Sequence, residues 1–148
     1  TPQSEDESRA KSAALALGSG SRPEDTVYFS GFCRDVPQAL AGFDLFLFPS
    51  ILAEGMPMVV LEAFGAGVPV VASAVDGVTD IVEHDRNGWL VPPANAAALA
   101  NTIGQLTLGE LDWSAVRNQA HAIQRARYSD ASLAAGVAAV YDEVLAKP

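Results

Sequence analysis

The sequence predicts an α/β protein built on a doubly wound parallel sheet, and three observations carry that prediction. Short apolar runs alternate with helical patterns in units of about 30 residues, the spacing of strand–helix–strand crossovers. Two runs, residues 44–48 (DLFLF) and 69–72 (PVVA), are apolar almost throughout and bounded by turn residues, as strands covered on both faces are. With 148 residues, 49% of them hydrophobic, the chain is long enough to bury one sizeable core.

In chain order, residues 1–8 are polar and acidic and read as a frayed tail. Residues 8–17 read as a helix with a weak apolar face of Ala13, Ala14, Leu15 and Leu17. The GSGSRP stretch at 18–23 is a turn and not a dinucleotide fingerprint. Pro23 stands where the third glycine belongs, and the segment leads into a strand instead of following one. Residues 27–30 form a short strand ending at Gly31, and residues 35–42 a short helix with Pro37 in its first turn.

After the DLFLF strand, a central helix spans 57–65 and a buried strand 69–73. Residues 76–82 are expected as a short helix capped by Asp76. Asn87-Gly88 turns the chain into a last strand at 89–91. Helices follow at 96–106, with Leu99, Ile103 and Leu106 on one face, at 112–127, and at 131–146. The last has Leu133, Val137, Val140, Tyr141 and Val144 as its apolar stripe. The expected division is a helix and linker over 1–26, a Rossmann-like core over 27–93 and a helical segment over 94–148.

Bulk charge excludes several function classes. With 9 basic against 18 acidic residues the net charge is −9, which argues against a nucleic-acid backbone binder or an electrostatic membrane patch. One cysteine, Cys33, rules out an internal disulfide and fits a reducing, cytoplasmic compartment, or a peripheral place at the inner membrane for a longer enzyme. No apolar run has the length of a transmembrane helix, and no signal peptide is visible.

The chemistry concentrates at 48–73. From Gly55 to Val75 the single charged residue is Glu62, set among Val59, Val60, Leu61, Ala63 and Phe64. Such a neighbourhood suggests a buried carboxylate, which costs several kcal/mol unless hydrogen-bonded. Glu54 precedes it at E-x7-E spacing. In an open parallel sheet ligands bind outside the carboxyl ends of the strands. The loops at 31–35, 49–56 and 73–78 lie at such ends. The 49–56 loop feeds a helix N-terminus, where amides of Gly55, Met56, Met58 and Val59 and the helix dipole suit a diphosphate or sugar hydroxyls.

Glu54-Gly55-Met56-Pro57-Met58-Val59-Val60-Leu61-Glu62-Ala63, followed by Gly65-Ala66-Gly67-Val68-Pro69-Val70-Val71-Ala72-Ser73, resembles the donor-site motif of retaining glycosyltransferases of the GT-B fold, family 4 or group 1 type. The resemblance runs from about residue 27 to 93 and loosely beyond. It implies the C-terminal, donor-binding domain of an enzyme that moves a sugar from a UDP-, GDP- or ADP-sugar to a glycan, lipid or small molecule. By the same resemblance Glu54 is the catalytic residue and contacts the donor sugar. Gly55, Met56, Pro57, Met58 and Val59 border sugar and phosphates, Glu62 takes the ribose hydroxyls, and Phe32, Cys33 and Arg34 cup the nucleobase. No metal and no cofactor is implied.

Other readings of these residues are structural. Glu62 could cap a neighbouring loop, Cys33 reads as a small buried hydrophobe, and His84 and His121 as solvent-facing. Asp80 reads as structural, and Gly65 and Gly67 as packing and helix-end positions. Family members clamp the diphosphate with an Arg and a Lys from segments that precede this one, and bind acceptor on a separate N-terminal domain. Here the lysines are Lys11 and Lys147, both near the ends. The chain is therefore expected to be part of a larger enzyme, inactive alone, with self-association through an exposed sheet edge. A phosphorylase of the same architecture would need a Schiff-base lysine for pyridoxal phosphate, and this chain has no lysine in its expected core. The alternatives kept are a non-catalytic nucleotide-binding or assembly module and a fragment of a GT-B sugar-nucleotide epimerase.

Overall fold

The structure, a computed structural model, describes Ser8, Ser12, residues 30–53 and residues 55–146. It divides into two compact units, Thr1–Arg34 and Asp35–Pro148. In the first, the described residues 30–34 are exposed and irregular, and Gly31 takes the left-handed conformation at φ 69°. The expected helix at 8–17 and strand at 27–30 fall almost wholly outside the described residues.

The second unit runs α1 (Val36–Ala41), β1 (Phe46–Phe48), α2 (Met58–Gly65), β2 (Val70–Ser73), β3 (Gly88–Val91), α3 (Ala96–Leu108), α4 (Trp113–Arg127) and α5 (Asp130–Leu145). The strands form one parallel sheet in the order β1-β2-β3, with Phe46 opposite Val70 and Val70 opposite Gly88. Alternation along the strands sends side chains to two cores. Phe46, Phe48, Val70, Ala72 and Leu90 face Val60, Phe64 and Ile81 on one side. Val71, Trp89 and Val91 face Leu106 and Val116 on the other. Trp89 and Trp113 meet edge to face, with ring centroids 6.2 Å apart. Helices on both faces are what the doubly wound reading requires.

Local chemistry sets the element ends. Asp35, Asn95, Asp112 and Ser129 cap α1, α3, α4 and α5, each accepting from an amide three residues on. Helix α2 ends in a Schellman turn. Val68 N donates to Ala63 O at 2.8 Å and Gly67 N to Phe64 O at 2.9 Å, with Gly67 at φ 70°. The glycine reading of the helix end is thus met at Gly67, while Gly65 packs beside Gln124 of α4.

Four expectations are corrected. Residues 76–82 form a chain of turns and no α-helix, because Gly77 sits at φ 82°, a sign no helical residue adopts. The Val75 carbonyl instead accepts from Val78 and Thr79, and the Val78 carbonyl from Ile81 and Val82. The strand expected over 44–48 is regular only over Phe46–Phe48 and is not covered on both faces. Leu47, on its outer face, is 41% exposed, and β1 has one strand neighbour among the described residues. The stripe of the last helix is not buried either. Leu133, Val140, Tyr141 and Val144 are all at least 60% exposed, because α5 touches the rest of its unit mainly through α4. Pro57, read as the first helical residue, is the N-cap of α2. Among the described residues no helix is long and apolar enough to cross a membrane.

Candidate donor site

The loop from β1 and the first turns of α2 form the ledge on which the motif lies. Strand β1 ends at Phe48, and residues 49–57 bring the chain to the start of α2 at the carboxyl edge of the sheet. Helix α2 differs at its N-terminus from the four helices with polar caps. Its N-cap is Pro57, which offers no capping side chain, and among the described residues no side chain bonds the first turn. The Val60 amide reaches the Pro57 carbonyl at 3.0 Å. The first amides of the helix thus point past its end with the positive end of the helix dipole behind them.

Anchoring of α2 is strong on its inner side. Val60, Ala63 and Phe64 are wholly buried and Leu61 is 5% exposed. That inner face fixes the outer one. Met58 is 60% exposed and Glu62, four residues on, lies on the same exposed face with half-buried Val59 beside it. Glu62 is therefore not the buried carboxylate its apolar sequence neighbours suggested. Those neighbours belong to the opposite side of the helix, and Glu62 has no hydrogen-bond or ion-pair partner among the described residues.

The remaining site residues are distributed as follows. Gly55 and Met56 are exposed in the loop and Pro57 is buried beneath it. Glu54 lies outside the described residues. Phe32, Cys33 and Arg34 belong to the first compact unit and are all exposed, Phe32 at 89%. Cys33 is consequently not a buried hydrophobe, since it is exposed in an irregular stretch. The structure brings Gly55, Met56, Pro57, Met58, Val59 and Glu62 onto one ledge. Between Arg34 and Arg86 the sequence has no Arg or Lys, so within this ledge the amides supply the positive potential.

The two histidines are solvent-facing, as read. His121 is exposed on α4, and His84 is exposed with Nδ1 accepting from the Leu90 amide at 3.0 Å. Asp80 serves the fold through its backbone, its carbonyl accepting from the Tyr128 hydroxyl at 3.0 Å.

Two features escaped the sequence. The first is a cavity of about 250 Å³ over the carboxyl ends of β2 and β3, reaching Ser73 and the start of α3. The signals for it were present, a serine closing an apolar strand and an asparagine ahead of three alanines. The second is Asn87, which read as half of a turn. It is wholly buried, its Nδ2 donating to Ile81 O at 3.0 Å and its Oδ1 accepting from Glu83 N at 2.7 Å.

The profile of the family described as Glycosyl transferases group 1 matches residues 4–108. The amylovoran biosynthesis glycosyltransferase AmsK of Erwinia amylovora is 38% identical over 96 residues, covering 60% of this chain and 24% of that protein. An Escherichia coli protein described as UDP-Gal:alpha-D-GlcNAc-diphosphoundecaprenol alpha-1,3-galactosyltransferase is 32% identical over 77 residues, or 52% of this chain and 20% of its own. Among solved structures, Anabaena Alr3699/HepE in complex with UDP and glucose superposes with a TM-score of 0.82 at 28% identity, over 96% of this chain and 38% of that one. The chain thus spans about a quarter of the length of the curated relatives it matches.

Proposed function

This chain belongs to the group 1 glycosyl transferases, and we propose that it supplies the donor ledge of a retaining enzyme that takes a sugar from a UDP-sugar. The observation that carries the reading is the E-x7-E spacing of the sequence, with Glu62 outward on the face that Met58 shares and without a polar partner among the described residues. A carboxylate in that position is an acceptor for the two hydroxyls of a ribose. The amides of the first α2 turn are donors for the diphosphate. Glu54 then meets the donor sugar, with Gly55 and Met56 beside it, and residues 32–34 take the base.

The choice of uridine is supported by two relatives: HepE, solved with UDP, and the E. coli enzyme whose description names UDP-Gal. Transfer proceeds without a metal in this reading. Developing charge on the leaving diphosphate is met by the amides and helix dipole here, and by basic groups from outside the 35–85 stretch. The acceptor domain is a separate partner, and the chain alone turns over little or no donor. The reaction belongs in the cytoplasm, where nucleotide-sugars are made.

Calorimetric titration of UDP, GDP and ADP into the chain tests this. UDP binding that disappears in Glu62→Ala is the expected result. Equal affinity of the variant and the parent for UDP would remove Glu62 from the site.

A further inference from the structure

We propose that the cavity over β2 and β3 is a second carbohydrate subsite, which accepts one neutral pyranose ring. The ring is the acceptor's only insofar as the transferase reading above holds.

The cavity is walled by Pro49 after β1, Ser73 and Val91 at the ends of β2 and β3, Pro92, and Ala96 and Leu99 of α3. Ser73 is 3% exposed and its hydroxyl has no hydrogen-bond partner among the described residues. No fully enclosed side-chain nitrogen or oxygen among those residues lacks a partner, so the Ser73 hydroxyl is one that opens onto the cavity. A buried hydroxyl left in that state is satisfied by an incoming polar group.

Backbone donors lie on the opposite wall. Asn95 Oδ1 accepts from the Ala98 amide at 2.9 Å, and the Ala96 and Ala97 amides, first in the 13-residue helix α3, have no intrahelical acceptor. The lining therefore presents the Ser73 hydroxyl, the Asn95 carboxamide and a helix N-terminus to ligand oxygens. Pro49, Val91, Pro92 and Leu99 offer apolar surface to the C–H face of a sugar.

Charge and size narrow the occupant. No charged side chain lines the cavity among the described residues, so a phosphate or carboxylate would find neither Arg nor Lys. At about 250 Å³ it falls below the roughly 300–1,000 Å³ of pockets that enclose drug-sized ligands, which suits a single ring and not a nucleotide. Pro49 also begins the loop that leads to Gly55 and α2, so the subsite shares a wall with the donor ledge.

The test is a set of amide ¹H–¹⁵N spectra of the 148-residue chain. It is titrated separately with the methyl α-D-glycosides of glucose, galactose and mannose, with UDP, and with inorganic phosphate. One glycoside is expected to shift Ser73, Val91 and Ala96, and UDP to shift Gly55, Met58 and Glu62. Ser73→Ala should weaken the glycoside about fivefold. Leu99→Trp, which fills the cavity, should abolish its shifts and leave those of UDP. If no glycoside moves Ser73, Val91 and Ala96 while UDP moves its own set, the subsite is refuted and the donor reading stands. If a glycoside binds and UDP does not, the subsite stands and the donor reading falls. Shifts with phosphate in place of glycosides, or glycoside binding unchanged in both variants, would also overturn the proposal.

Discussion

A Cβ on Gly88 would stand 2.5 Å from the carbonyl oxygen of Val70, its register partner across the β2–β3 pair. The obstacle is backbone and cannot swing away, and Val82 stands behind it at 3.2 Å. Gly88→Ala should therefore force the strands apart and lower the unfolding free energy by about 2–3 kcal/mol. Urea denaturation measures this. A loss within about 0.5 kcal/mol, the range of ordinary surface changes, would mean that the pair relaxes freely.

Asn87 anchors the turn that precedes Gly88. Replacing it with alanine strips the Ile81 carbonyl and the Glu83 amide of their partners in a buried setting. Each unsatisfied group costs about 1–3 kcal/mol, so Asn87→Ala should cost about 2–6 kcal/mol. Asn87→Asp keeps the acceptor and loses the donor, and should fall between parent and alanine variant in thermal melts. An alanine variant as stable as the parent would show that the side chain does not hold the turn.

At Gly67 the cost is conformational alone. Nothing lies within 4 Å of an added Cβ, but φ is +70°. Gly67→Ala should destabilise by about 1–2 kcal/mol and Gly67→Asn by less, because asparagine tolerates the left-handed region. Equal losses in the two variants would point to a steric cause and count against this account.

Stability and binding separate at Glu62. Its side chain is exposed and meets no polar partner among the described residues, so Glu62→Ala should leave the unfolding free energy within about 0.5 kcal/mol while removing UDP binding. A large drop in stability would return Glu62 to a structural role.

How far the sequence revealed this fold depended on how local the deciding physics was. The strands at 46–48, 70–73 and 88–91 follow from patterns a few residues long. Residues 76–82 carried a helical pattern too, but one glycine torsion at Gly77 overrode it, and sequence does not reveal the sign of a glycine φ. Glu62 was read from its chain neighbours, whereas exposure is set by the face of α2 on which it falls. At i+4 from Met58, with positions 60, 61, 63 and 64 turned inward, that face was derivable. The motif residues were legible as a group, while the cavity at Ser73 was not, because its walls come from three segments distant in sequence.

Helix α5 has no buried residue, whereas Val70, Val71 and Ala72 of β2 are wholly inaccessible to solvent. Detaching α5 uncovers little new apolar surface, while opening β2 breaks both cores at once. Amide protons should therefore exchange with deuterium in two classes. Those of α5 should exchange through local openings within the folded state, and those of β2 only when the whole sheet comes apart. The chain thus carries its own internal gauge, in which the slow class reports global stability and the fast class whatever another molecule does to the last helix.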